Sequence, residues 1–131
     1  MNRTPINPWT WSLKLGYNQG EILEGVGRQL VCAGQTAVDG DGNPRHPGDM
    51  RSQLTLALDN LEAVVQGAGM GLTNITRLTI YATDVDAALQ HFDVLGARMG
   101  RVGAAPPITL LGVTRLAIPS LLIEIEATAA S

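Results

Sequence analysis

Aromatic side chains make up only 4% of the 131 residues and charged ones 16%, and there is one cysteine, Cys32. A lone thiol excludes an internal disulfide and any zinc site built from several cysteines. The shortage of aromatics leaves the core to aliphatic side chains. The nine lysines and arginines are scattered without a run, and the net charge is −3. Phosphate-backbone binding needs clustered cations, so a nucleic-acid partner is excluded. No apolar stretch reaches the roughly 18 residues that would cross a bilayer, and the N-terminus lacks the charged-then-apolar layout of a secretion signal. The expectation is a cytoplasmic protein without a membrane partner, in which the Asn74-Ile75-Thr76 sequon has no role. Neither His46 nor His91 has carboxylates at ligand spacing, so no metal is expected, and nothing implies a cofactor.

Apolar residues, by contrast, are plentiful: 45% of the chain, with a mean hydropathy of +0.12. A small domain this apolar and this poor in charge is expected to hide surface against copies of itself. Residues 1–18 read as an irregular arm carrying Trp9, Trp11 and Tyr17, and residues 19–131 as a single domain. Residues 20–26 and 28–33, joined at Gly27, read as a hairpin. Residues 38–48 are turn chemistry, and their Asp39-Gly40-Asp41-Gly42-Asn43 run reads as a β-turn rather than a calcium loop, lacking the later glutamate.

Asp49 is placed to cap a helix from about Met50 to Gly69, with Leu54, Ala57, Leu58, Leu61, Val64, Val65 and Ala68 on one face. Residues 75–82 alternate and are β-branched, which predicts a strand. Thr83 or Asp84 caps a second helix over 85–99, with Ala88, Phe92, Leu95 and Met99 inward. Residues 108–116 and 121–128 complete the strands around Ile118-Pro119-Ser120. This is an α+β chain: a mixed sheet covered on one face by two helices, with the other face predicted to pack on neighbouring subunits.

Six segments, in order, carry a resemblance: Gly16-Tyr17-Asn18-Gln19; Ala33-Gly34-Gln35; Gln53 to Asn60-Leu61; Ile75 to Tyr81 with Thr83-Asp84; Thr114-Arg115-Leu116; and Ile123-Glu124-Ile125-Glu126-Ala127. From about Gly16 to Ala127 the chain resembles the Rid/YjgF family of reactive-intermediate deaminases. The resemblance implies a chorismate-mutase-like fold, a homotrimer, and a small-molecule ligand held in clefts between subunits. It implies hydrolysis of imines and enamines, with an arginine forking the substrate carboxylate, a glutamate on the last strand handling water, and a tyrosine from the N-terminal region.

Carried over residue by residue, the tyrosine is Tyr17, the glutamate Glu124 and the glycine Gly34. The arginine position, seven residues before Arg115, is Ile108; the serine before the glycine is Ala33; a cleft asparagine falls near Phe92; and a cysteine found in some members is Leu110. Ala33, Gly34, Phe92, Ile108 and Leu110 then line an apolar cleft, with Glu124 and Tyr17 as catalytic residues. A bare carboxylate buried against Ile108 would lose its water without gaining a partner, so the ligand is read as neutral or apolar.

Each feature also has a plainer reading. Glu124 also reads as a solvated strand carboxylate paired with Arg115, and Tyr17 as a packing aromatic. Cys32 reads as a small buried hydrophobe, and His91 as a surface residue. Trp9 and Trp11 either cover the cleft or pin the arm, and Arg98 or Arg101 could stand in for the absent arginine. The function read from sequence is therefore an imine or enamine hydrolase of this family. The alternative is a non-catalytic binder or pathway accessory protein on the same trimeric scaffold.

Overall fold

The computed structural model describes all 131 residues. Its elements run β1 (Asn2–Ile6), β2 (Gly20–Glu24), β3 (Gln29–Val31), α1 (Met50–Gly67), β4 (Ile75–Ala82), α2 (Val85–Gln90), α3 (Asp93–Arg101), β5 (Ile108–Gly112) and β6 (Ile123–Ala130). A four-stranded mixed sheet has the order β3-β6-β4-β5, in which only the β4–β5 pair is parallel. The expected α+β architecture, with helices on one face, is found.

Where the sequence suggested a β2–β3 hairpin, β2 instead pairs with β1, from Asn2↔Glu24 to Ile6↔Gly20, as a separate ribbon. The arm is therefore partly a strand. Side-chain bonds far apart in sequence explain this. Arg3 donates to the Glu21 carboxylate at 2.6 Å and to the Ile75 carbonyl at 2.7 Å, tying the ribbon to the start of β4. Asn7 holds Asn18, and Asn18 donates to Glu21, which closes the loop between the two strands. Gly25, at φ 67°, turns the chain away, and β3 joins β6.

The central layer is built from alternation. On β6, Ile123, Ile125, Ala127 and Ala129 point under the helices, and on β4 Leu78 and Ile80 lie beside them. Leu54, Ala57, Leu58, Leu61 and Val65 of α1 close the core from above, as their spacing predicts. Val64, expected on that face, lies at its rim and is 36% exposed. The predicted second helix is two: hydrogen bonding shifts to three-residue spacing at His91, Phe92 and Val94, which breaks the coil between α2 and α3. Its inward residues are nonetheless those expected, with Ala88, Leu95 and Met99 buried and Phe92 half-buried. β5 ends at Gly112, leaving Thr114-Arg115-Leu116 in a loop. No helix is long and apolar enough to cross a membrane.

Candidate functional site

Two amides on α1 hold the loops in place. Gln53, fully buried, donates to the carbonyls of His46 and Ser120 at 3.1 Å each and accepts from the Leu122 N–H at 2.8 Å. Asn60 donates to the carbonyls of Thr36 and Val38. Together they fix the segment after β3 and the segment entering β6, which meet at the glutamate picked out by sequence.

After β3 the pairing with β6 slips by one residue. Val31 faces Thr128, but Gln35 faces Ile125, so Ala33 and Gly34 together oppose Glu126 in a bulge. The Gln35 N–H bonds the Ile125 carbonyl at 2.7 Å and its carbonyl accepts from Ile125 at 2.9 Å, while the N–H groups of Ala33 and Gly34 make no bond within the chain. The Glu124 side chain lies against Gly34, where a Cβ would collide with its carboxylate. Glycine is needed here for space, because its φ is not positive.

Strand pairing decides which side chains share this face. Glu124 lies opposite Tyr81, Glu126 opposite Thr79, and Thr128 opposite Arg77. From β5, Thr109 and Leu111 join the row beside Thr79 and Tyr81. The Tyr81 hydroxyl donates to Glu126 at 2.5 Å, and this bond, then desolvation and the charges of Glu126 and Glu124, raise the phenol's pKa above its ordinary value.

Tyr17, Phe92, Ile108 and Leu110 gather elsewhere. They line a cavity of about 470 Å³ with Leu15, Leu89, Leu95 and Met99, between α3, the β5 edge and the loop preceding β2. Ile108 and Leu110 lie opposite Leu78 and Ile80, on the helix side of the sheet. Within one chain, then, Glu124 with Ala33 and Gly34 occupies one face of the sheet, and the apolar residues predicted beside it occupy the other. A single cleft lined by all of them does not form in the isolated chain. The expected cleft is one between subunits, so each copy would bring to it two separate faces: Glu124 lies opposite Tyr81 on one side of the sheet, and Ile108 and Leu110 lie on the other.

Arg115 does not pair with Glu124. Its guanidinium donates to the carbonyls of Leu116 and Ala117 in its own loop. Arg98 is held by α1, 2.6 Å from Asp59 and 3.7 Å from Glu62, and Arg101 is exposed and outside the cavity lining, so neither puts a cation into it. Trp11 meets Tyr17 edge-on with ring centroids 6.1 Å apart, pinning it rather than lining the cavity, and Trp9 is 61% exposed. Cys32 is buried in the core, and burial pushes its thiol pKa up. No cluster of histidine, cysteine or acidic residues could hold a metal ion. The sequence reading did not assign Tyr81, Thr79, Arg77 and Glu126 to a site, although their alternation in 75–82 and 121–128 signals a shared face.

Comparison with known proteins agrees with this architecture. Over its full length the chain is 35% identical to the Rid-family protein YyfB of Yersinia pestis, covering all of both chains with a TM-score of 0.85. The structure of Escherichia coli TdcF with bound serine overlays 88% of this chain and 87% of that one at 27% identity, TM-score 0.71. The 2-iminobutanoate/2-iminopropanoate deaminase of Escherichia coli is 31% identical over 72 residues, 51% of this chain and 53% of that protein. With residues 13–131 also matched by the family described as Endoribonuclease L-PSP, the chain belongs to the Rid/YjgF family, whose members include imine deaminases.

Proposed function

We propose that this chain is a hydrolase of small imines or enamines that carry no free carboxylate, working as a homotrimer with Glu124 as its water-activating group. The observation that carries this reading is the Glu124 carboxylate packed on Gly34, beside the two unengaged N–H groups of the bulge. A carboxylate next to free amide donors can take a proton from water while the donors stabilise the adduct. Water adds to the C=N carbon and gives its proton to Glu124. Glu124 returns that proton to the nitrogen, giving a neutral carbinolamine; it then takes the hydroxyl proton and passes it to the nitrogen, so that the C=O bond forms as the C–N bond breaks and ammonia leaves.

The ligand's hydrocarbon part is assigned to the cavity of Tyr17, Phe92, Ile108 and Leu110. Because β5 is the sheet edge, a neighbouring copy that lays its open face across that edge would bring its Glu124 to the cavity. The cavity lining has no cation, which supports a ligand without a carboxylate.

The test is ammonia release from imines generated in situ by an amino-acid oxidase and from imines lacking a carboxylate. Wild type should act on the second kind, and Glu124→Ala should lose that activity while keeping its assembly. Ile108→Arg, in the cavity wall, should give activity toward carboxylate-bearing imines that Thr109→Arg, on the opposite face of the same strand, does not. Equal rates for Glu124→Ala and wild type would sink the proposal.

A second reading, a non-catalytic binder, is favoured by one observation: the cavity walls are apolar apart from Tyr17. Thermal stabilisation by a small apolar ligand without turnover would support it.

A further inference from the structure

Part of the wall that α3 gives to the cavity of Tyr17 and Ile108 is a row of positions four apart: Phe92, Gly96 and Gly100. Residues at that spacing lie one above another on a helix. The Gly96 N–H bonds the Phe92 carbonyl at 2.9 Å, so the row is helical from its start. Two glycines inside a nine-residue helix weaken it, since alanine is the better helix former. The backbone does not ask for them. Neither has a positive φ, unlike Gly103, which turns the chain after the helix at φ 68°. Packing does not ask for them either, because a Cβ built at Gly96 or Gly100 meets no atom within 4 Å. What the two glycines do is leave room, and the room they leave belongs to the cavity.

We infer that Gly96 and Gly100 set the size of substrate this cavity takes, keeping it open for an imine that carries a ring-bearing hydrocarbon group. The imine rests on the hydrolase reading above; the hydrocarbon rests on the cavity alone. The cavity's volume of about 470 Å³ is about three times the roughly 150 Å³ of apolar space that takes a benzene ring. A short alkyl group would leave much of it holding water against apolar walls, whereas a phenyl ring on a short chain covers that surface. Leu95 and Met99, buried on the same helix, give the ring an aliphatic floor, and Phe92 offers it an aromatic neighbour. Tyr17 is the lining residue with a side-chain hydroxyl, which suits the polar C=N end. A larger side chain at position 96 or 100 would take the place of the ring.

Isothermal titration of the full chain with 4-phenylbutan-2-one and butan-2-one, neutral ketones that resemble a hydrolysis product, tests the size assignment without turnover. Wild type should bind the phenyl ketone about tenfold or more tightly than butan-2-one. Gly96→Leu and Gly100→Leu should each weaken the phenyl ketone about tenfold or more. Ala97→Leu, exposed on the same helix and outside the cavity lining, should bind it as wild type does. Gly96→Ala should have a higher urea midpoint than wild type and bind the phenyl ketone more weakly. If a leucine variant fails to fold, Gly96→Ala decides, and a lower midpoint or unchanged binding overturns the assignment. Equal affinity of wild type for the two ketones, or leucine variants that bind the phenyl ketone as wild type does, would overturn it as well. Ammonia release from the imines that a flavin amine oxidase makes of 2-phenylethylamine and of propylamine tests the chemistry separately. Faster release from the first, with the preference lost in Gly96→Leu, supports both readings. Tight binding of the phenyl ketone without release from either imine would leave the size assignment standing and remove the hydrolase.

Discussion

Gly34 and Glu124 compete for one volume, and the competition yields a sharp test. An alanine at 34 would put its methyl where the Glu124 carboxylate lies, yet the backbone there is one any residue can adopt. The flexible glutamate should move rather than the strand. Gly34→Ala should therefore melt close to wild type and lose ammonia release as fully as Glu124→Ala does. A fully active Gly34→Ala would show that the contact is incidental. Tyr81 supplies a second test at this scale. Its phenol is held protonated by Glu126, so its folded pKa lies above the ordinary value of about 10. The folded state then binds more protons than the unfolded state between the two values. Stability is fully present below about pH 10 and is lost as pH rises through the folded pKa. Urea midpoints between neutral and strongly alkaline pH should fall more steeply for wild type than for Tyr81→Phe.

At the scale of elements, what was legible in the sequence was what repeats locally. The buried face of α1, the Asp49 cap, which accepts from the Ser52 N–H at 3.0 Å, and the β4 span all follow from spacing over a few residues. The β1–β2 ribbon does not, because it depends on Arg3 reaching Glu21 and Ile75, eighteen and seventy-two residues away. Nor does spacing foresee the break at Phe92, since the apolar stripe continues through it into α3. The amides of Gln53 and Asn60 were visible as residues, but their role as brackets across loops was not. Gln53→Ala would orphan the Leu122 N–H and the carbonyls of His46 and Ser120 inside the protein. The expected loss is at least about 1–3 kcal/mol in urea unfolding, with a matching loss of order in the segment entering β6. A Gln53→Ala variant as stable as wild type would mean that water replaces all three bonds.

For the whole molecule the question is how two half-sites become one. Sequence placed Tyr17, Phe92, Ile108 and Leu110 in one cleft with Gly34 and Glu124, and within one chain the structure divides them into two groups. What it could not supply was the face each group occupies, because face follows from the register between strands and not from alternation within one. With Glu124 on the open face and the cavity under the helices, no single chain can bring a carboxylate to a ligand in that cavity. A homotrimer whose clefts join one copy's Glu124 to its neighbour's cavity would resolve this, and light scattering should then give three times the 13.8 kDa of one chain. Subunit mixing tests the cleft itself. Glu124→Ala and Ile108→Asp should each be inactive alone, one lacking the carboxylate and the other placing a charge in the apolar wall. In trimers re-formed from an equal mixture, about a quarter of the clefts pair an intact Glu124 with an intact cavity, so about a quarter of wild-type activity should return. If the mixture stays inactive while exchange of subunits is confirmed by mass, the carboxylate and the cavity do not serve one reaction, and the two faces of the sheet work independently.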